Sequence, residues 1–352
     1  MHERGNFVKK VLCVLLSMLM LVTLFVGCGN TANTETTTEG TTMAQEDNYT
    51  PDSVLRILMV GNSFCYYYTD ELYELLMENP PEGITEVEIY NLYYSGCSLT
   101  MHHTWWLKNE SNYDLFKVSA NGRENLNNIH TKWSLEQALA WAQWDYISLQ
   151  GSVVNGSYMN VQKRELTRNG IAETAEPLLA RFHELHPNAQ LLWHRTWYSE
   201  VGRVGSDGYV YTVEGGPKYD AGMQEICDYM TEEFDKDKPY DLKQVNSGAA
   251  WTVARKLNET LDLLPYGGLC ARLNYNKFGD LRPNSGDGYH DGDIGGAQLL
   301  NAYTWYMTLT GNTDLTASKY MPVYKIDNIE YPLSTELVDM LKTAAMTAFN
   351  EK

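Results

Sequence analysis

The folded part of the chain begins with the run Val54-Leu55-Arg56-Ile57-Leu58-Met59-Val60-Gly61-Asn62-Ser63-Phe64. The residues before Gly61 are almost all apolar, which is typical of a parallel strand that is buried on both faces. Gly61 permits a tight turn into a helix, so Ser63 is expected at the carboxyl edge of the sheet, beside a helix N-terminus. A serine in that position can act as a nucleophile, although many such turns only cap a helix.

Apolar runs and amphipathic stretches alternate along the rest of the chain. Further strands are predicted over Val87–Leu92, Tyr146–Leu149, Ala189–His194 and Leu242–Asn246. Helices are predicted over Thr69–Met77, Leu135–Gln143, Ala172–His186, Ala249–Leu257, Ile294–Leu309 and Ser334–Phe349. This alternation predicts an α/β fold, a three-layer α/β/α sandwich with a central parallel sheet of about five strands. We expect one domain over residues 51–352, since no Pro/Gly-rich break interrupts it.

Composition narrows the range of functions. The chain has 352 residues and 43% hydrophobic residues, and its 27 Lys and Arg against 45 Asp and Glu give a net charge of −18. This is a globular composition, and the acidic balance argues against a nucleic-acid partner. The 25 Tyr and 9 Trp outnumber the 8 Phe. Rings with a polar group suit surfaces that are partly apolar and partly wet, such as sugar-binding grooves, although crowded cores are commoner.

The N-terminus has the pattern of an export signal. Arg4, Lys9 and Lys10 precede an apolar run that ends at Cys28. The motif Leu24-Phe25-Val26-Gly27-Cys28 resembles the bacterial lipoprotein box, in which the signal is cut before a cysteine that is then acylated. This resemblance implies a signal peptide over residues 1–27 and a lipid on Cys28.

Residues 28–50 contain eight Thr and no Lys or Arg, which predicts a disordered tether. We therefore expect an exported, cell-surface lipoprotein that contacts the membrane only through its N-terminal lipid. An uncleaved membrane anchor is the alternative, because the apolar run approaches the length of a membrane span.

A second motif, Asp287-Gly288-Tyr289-His290, lies near the C-terminal end. A three-residue step in a turn can bring a carboxylate to one imidazole nitrogen while the other nitrogen faces outward, as a general base for serine requires. Asp291 is the alternative orienting carboxylate. A calcium loop from Asp287, Asp291 and Asp293 is disfavoured, since the EF-hand spacing and its terminal Glu are absent. His183 and His186 are three residues apart, whereas the zinc-binding helix motif needs four.

The motifs Gly61-Asn62-Ser63-Phe64, Gly96 after the second strand, and Asp287-x-x-His290 together resemble the SGNH (GDSL-type) hydrolase superfamily. The third block differs from the usual pattern, since Leu149-Gln150-Gly151 resembles the Gln-Gly block of the sialate O-acetylesterase-like branch. The overall pattern is most similar to an exported branch that is named only as a domain of unknown function. The resemblance covers residues 61–290, within which Met101 to Ser134 is expected to be an insertion.

The resemblance implies acyl transfer without a metal or other cofactor. Ser63 would be the nucleophile, His290 the base and Asp287 the carboxylate that orients it. The N–H groups of Ser63 and Gly96 and the Gln150 side chain would form the oxyanion hole, with Asn155 as the reserve third donor.

Further candidates rest on position alone. Four residues at the same edge of the sheet are candidate substrate-binding residues, with ordinary packing as the alternative: Asn62, Trp193, His194 and Trp197. Four cysteines remain in the domain, and of these Cys65 and Cys97 flank loops that are neighbours in the family, so a disulfide between them is one option.

The expected function is a serine esterase that removes acetyl groups from carbohydrate, with a small-molecule or glycan ester as its substrate. Two alternatives are a lipase or thioesterase for longer acyl chains and a non-catalytic carbohydrate-binding lipoprotein on the same scaffold.

Overall fold

The computed structural model describes residues 53–150, 161–200, 215–275, 281–284, 286–326 and 328–351. The predicted signal peptide, the lipid site at Cys28, the tether and Asn155 lie outside these residues. Among the described helices, none combines the length and apolar character needed to cross a membrane.

The middle layer of the domain is a seven-stranded sheet. Its strands are β1 (Val54–Gly61), β2 (Glu86–Tyr93), β3 (Asp114–Ser119), β4 (Gly122–Asn125), β5 (Tyr146–Gln150), β6 (Gln190–Arg195) and β7 (Lys243–Asn246). They lie in the order β4-β3-β2-β1-β5-β6-β7. The neighbours among β2, β1, β5, β6 and β7 are all parallel, which confirms the predicted five-stranded parallel sheet.

The predicted insertion extends this sheet by two strands. β3 pairs antiparallel with β2, and β4 pairs antiparallel with β3. Glu88 on β2 accepts hydrogen bonds from Lys117 Nζ on β3 at 2.5 Å and from Arg56 Nε on β1 at 3.2 Å. A carboxylate thus links three neighbouring strands on one face of the sheet.

Helices cover both faces of the sheet. They are α1 (Thr69–Glu78), α2 (Leu99–Leu107), α3 (Leu135–Leu139), α4 (Val161–Leu185), α5 (Gly215–Asp228), α6 (Ser247–Leu261), α7 (Ala297–Thr310) and α8 (Thr335–Asn350). Two antiparallel hairpins complete the described structure, β8 (Arg272–Tyr275) with β9 (Leu281–Asn284), and β10 (Val323–Ile326) with β11 (Ile329–Pro332).

Alternate residues of β1 point into two separate cores, as the period of a strand requires. Ile57 and Met59 pack in the core that α1, α6, α7 and α8 cover, whereas Leu58 and Val60 pack in the core of α2 to α5. This arrangement confirms the three-layer sandwich. The carboxyl ends of the five parallel strands meet at one edge, and the predicted site residues follow those ends.

Candidate active site

Ser63 lies at the start of a short 3₁₀ helix, Ser63–Cys65, immediately after β1. Asn62 caps this helix, because its Oδ1 accepts a hydrogen bond from the Phe64 N–H at 3.0 Å. The turn needs glycine at position 61, since a Cβ there would come within 2.6 Å of both Cys65 Sγ and Gln150 Oε1. The turn therefore places Ser63 directly after the end of β1.

His290 contacts Ser63 and Asp287 through its two ring nitrogens. His290 Nε2 lies 2.6 Å from Ser63 Oγ, and His290 Nδ1 lies 2.5 Å from Asp287 Oδ2. The other carboxylate oxygen, Asp287 Oδ1, accepts the backbone N–H groups of Tyr289 at 3.2 Å and His290 at 3.0 Å. The three side chains thus stand in the order that a serine nucleophile, a base and an orienting acid require.

Electrostatics keep the Asp287 carboxylate ionised. Burial alone would raise its pKa, but the hydrogen bonds from the His290 side chain and from the backbone lower the pKa well below its ordinary range. An ionised carboxylate at Nδ1 leaves the lone pair of Nε2 directed at the Ser63 hydroxyl.

Asp291 does not contact the His290 ring. Its Oδ2 accepts a hydrogen bond from Asn301 Nδ2 at 3.3 Å, and burial raises its pKa to about 7. Asp293 Oδ1 accepts from the backbone of Leu273 and Ile294, at 2.8 and 2.7 Å, so these carboxylates serve separate structural contacts. Within the described ranges, no group of three or more His, Cys, Asp or Glu side chains could hold a metal ion.

Asn62 connects three strand ends through its buried side chain. Its Nδ2 donates to the Cys97 carbonyl at 2.9 Å, and its Oδ1 accepts from Gln150 Nε2 at 2.9 Å. The Asn62 N–H donates in turn to Gln150 Oε1 at 3.3 Å. Asn62, predicted as a candidate substrate-binding residue, is instead 3% exposed and links the loops after β1 and β2 to the end of β5.

Gln150 is engaged by this network. Both ends of its amide contact Asn62, and its side chain is buried. These contacts make Gln150 a residue that positions the Ser63 turn, while its direct donation to an oxyanion stays a prediction.

Gly96 lies in a turn after β2 that is closed by the Cys97 N–H donating to the Tyr94 carbonyl at 3.1 Å. Its φ of +67° is in the left-handed region that favours glycine. Among the described residues, neither the Gly96 N–H nor the Ser63 N–H has a hydrogen-bond partner. Donation of both amides to an oxyanion stays a prediction.

The burial of the rings at the end of β6 argues against the prediction that they bind substrate, which stays untested. Trp193, His194 and Trp197 are only 2%, 1% and 1% exposed, so their faces are used in packing. His194 Nε2 lies 3.1 Å from Ser247 Oγ, and burial lowers the pKa of this histidine to about 3. The Trp197 ring stacks on Trp251 with a centroid separation of 4.4 Å.

Trp197 also holds the loop that carries the base, which the sequence did not suggest. Its Nε1 donates to the Tyr289 carbonyl at 2.7 Å, and the Glu200 N–H donates to the Gly288 carbonyl at 2.7 Å. The segment after β6 thereby fixes the backbone between Asp287 and His290.

The disulfide considered between Cys65 and Cys97 is not formed. The four described cysteines are all free and buried. Cys65 Sγ donates to the Asn62 carbonyl at 3.2 Å, and burial raises the pKa of this thiol to about 12. Such a thiol is a structural group and not a nucleophile at neutral pH.

Part of the chain matches one family model. Residues 56–202 match the model of a domain of unknown function, DUF4886. No curated protein matches the chain. A crystal structure of a DUF4886 family protein from Bacteroides uniformis superposes with a TM-score of 0.55 at 22% identity, covering 84% of this chain and 95% of the other.

Two other solved structures are less similar. A putative GDSL-like lipase from Parabacteroides merdae has a TM-score of 0.41 at 16% identity, covering 73% of this chain and 95% of its own. A mutant of an acetyl-xylooligosaccharide esterase from Geobacillus stearothermophilus has a TM-score of 0.39 at 14% identity, covering 75% and 97%. Residues 56–202 are therefore similar to the DUF4886 domains, and the chain shares the α/β fold of the Bacteroides uniformis protein.

Proposed function

We propose that the protein is a serine esterase that works through Ser63, His290 and Asp287. The observation that carries this proposal is the unbroken line of contacts from Ser63 Oγ through both nitrogens of His290 to Asp287, at 2.6 and 2.5 Å. A base within hydrogen-bond reach of a serine, itself oriented by a third group, is the general arrangement for activating a hydroxyl nucleophile.

In the first step, His290 Nε2 accepts the Ser63 proton while Ser63 Oγ attacks the ester carbonyl carbon. Asp287 stabilises the imidazolium that forms, and the N–H groups of Ser63 and Gly96 stabilise the negative charge on the carbonyl oxygen. His290 then gives its proton to the leaving alcohol, which leaves the acyl group on Ser63. A water molecule deprotonated by His290 attacks this acyl-enzyme and releases the acid.

The substrate that we propose is an O-acetylated carbohydrate outside the cell. Half-buried tyrosine rings flank the base, with Tyr289 at 4.0 Å and Tyr67 at 5.5 Å from the His290 ring centroid. A phenol offers an apolar face and a hydroxyl at once, as a sugar does. The N-terminal pattern supports an exported lipoprotein acylated at Cys28, whose acidic domain stays off anionic lipid.

Hydrolysis of 4-nitrophenyl acetate tests the proposal. We expect Ser63→Ala and His290→Ala each to lower kcat by about 10³-fold or more, as removal of a nucleophile or base does. His183→Ala, a histidine at the end of α4, is the matched control and should retain activity. Circular dichroism would show that each variant is folded.

Two results would contradict the proposal. Turnover that survives Ser63→Ala would mean that another group is the nucleophile. A folded wild type that binds oligosaccharide and hydrolyses neither acetyl nor longer acyl esters would be a binding protein on this scaffold.

A further inference from the structure

Four aromatic rings form a continuous strip that begins beside His290. The strip comprises Tyr66, Tyr67, Tyr93 and Phe116, each of which is half-buried. Tyr67 contacts the His290 ring edge-on at 5.5 Å, and Tyr66 contacts Tyr67 at 5.3 Å. Tyr66 then contacts Tyr93 at 5.1 Å and Phe116 at 4.9 Å, so the strip leads from the base onto the outer strands of the sheet.

Two arginines hold the inner rings of the strip. Arg272 lies 4.4 Å over the Tyr67 ring, and Arg123 lies 4.3 Å over the Tyr66 ring. Arg123 is itself fixed by hydrogen bonds from its Nη2 to Asp70 Oδ2 at 2.7 Å and to Thr69 Oγ1 at 2.8 Å. Cation–π contacts of this kind orient a ring without hiding its polar group. The strip is thus a preorganised surface.

The outer end of the strip comes from the predicted insertion. Phe116 lies on β3 and Arg123 on β4, the two antiparallel strands that extend the parallel sheet. Without β3 and β4, the aromatic strip would end at Tyr93, the last residue of β2. The insertion therefore lengthens the aromatic surface that starts at the proposed active site.

We propose that this strip is a subsite for the sugar rings of an acetylated oligosaccharide, so that the insertion selects a glycan ester over a small ester. The inference rests on the proposed function, because the strip is defined by its contact with His290. Three of its four rings are phenols, so the strip combines hydroxyl groups with apolar faces. Such a mixed surface matches the alternating C–H and O–H groups of a sugar. An alkyl chain bound there would leave the tyrosine hydroxyl groups unpaired.

The test compares two substrates in three Phe116 variants. The substrates are 4-nitrophenyl acetate and partially acetylated xylo- and cello-oligosaccharides. Phe116→Leu keeps an apolar side chain and removes the ring, and Phe116→Tyr keeps the ring. Phe116→Ala removes both, and Tyr266→Ala changes a ring that is 91% exposed outside the strip.

We expect Phe116→Leu and Phe116→Ala to lower kcat/KM for the oligosaccharide esters at least tenfold more than kcat/KM for 4-nitrophenyl acetate, mainly through KM. Phe116→Tyr should restore the wild-type ratio, and Tyr266→Ala should not alter it. Equal losses on both substrates, or no loss on the oligosaccharide, would overturn the subsite. A selective loss on 4-nitrophenyl octanoate would assign the strip to the acyl chain and would also overturn it.

Failure of the proposed function gives a different result. In that case wild type and Ser63→Ala would hydrolyse 4-nitrophenyl acetate equally or not at all. The strip can still be tested by calorimetry, with the same oligosaccharides after removal of their acetyl groups binding to wild type and to Phe116→Leu, because binding needs no turnover. Equal affinity of the two proteins, or binding to neither, would refute the subsite.

Discussion

Replacing Asn62 tests whether one side chain holds the oxyanion loops together. In Asn62→Ala three buried groups lose their partner, namely the Phe64 N–H, the Gln150 amide and the Cys97 carbonyl. A buried polar group left unpaired costs about 1–3 kcal/mol, so with three such groups we expect a loss of about 3 kcal/mol or more in the free energy of unfolding. We also expect kcat to fall about 10²-fold, the lower end of the loss for one oxyanion donor, because the Ser63 and Gly96 amides are no longer fixed.

Asn246 provides a matched control. It is also a buried asparagine that caps a helix at a strand end, and its side chain contacts Ala249 N–H, Arg195 Nη1 and Gln224 Oε1. It lies at the end of β7, on the opposite edge of the sheet from β4. We expect Asn246→Ala to cost comparable stability and to leave kcat within about twofold of wild type.

The assays are urea unfolding and kcat and KM on 4-nitrophenyl acetate, at a temperature where all variants are folded. The reasoning would be refuted if Asn62→Ala kept the wild-type kcat, or if Asn246→Ala lost as much.

Three further predictions follow from the loop that carries the base. Asp287→Asn should lower kcat about 10⁴-fold at pH 7 by reversing the preferred tautomer of His290, measured in the same ester assay. The wild-type protein should lose stability as the pH rises from about 4 to 7, and Asp291→Asn should abolish this loss. The pKa of Asp291 in the folded protein is about 7, above its value in the unfolded chain, so only the folded protein holds this proton between these pH values. The free energy of unfolding therefore falls by up to about 4 kcal/mol as the pH rises. A parallel pH dependence of the wild-type and mutant Tm would disprove this. Trp197→Phe removes the donor to the Tyr289 carbonyl and should lower kcat by about tenfold, of the order that one lost hydrogen bond allows, with KM nearly constant.

The five parallel strands could be predicted because burial on both faces leaves a recognisable apolar run. The prediction Val54–Val60 differs by one residue from β1, and the prediction Val87–Leu92 lies inside β2. Their parallel direction also follows from the alternation of strands and helices.

The two outer strands could not be predicted from apolar periodicity. β4 is Gly-Arg-Glu-Asn, which contains no apolar side chain, and β3 is buried only at Leu115, Val118 and Ser119, which is neither a continuous nor an alternating pattern. Such outer strands are stabilised by pairing with a neighbour and by contacts such as Lys117 with Glu88, which depend on the tertiary structure. The sequence therefore revealed that an insertion is present, and it did not reveal that the insertion adds strands to the sheet.

The arrangement of Ser63, His290 and Asp287 follows the motif prediction, whereas the supporting contacts do not. Asn62 acts through three loops that are distant in sequence, so its position beside Ser63 suggested a ligand contact. Trp197 stands at the same edge of the sheet as the serine, but position along a strand does not reveal whether a ring faces solvent or a neighbour such as Trp251. Burial of a single side chain is decided by packing.

The nucleophile and its base are 227 residues apart in the chain. A partly synthesised or partly folded chain therefore holds Ser63 before it has the proposed base, and under the proposed mechanism ester turnover requires that the C-terminal part of the domain has folded. The separation would protect bystander esters from an immature enzyme. It also makes activity a direct reporter of complete folding, so that C-terminal truncations before His290 should yield inert protein even where the first strands are native.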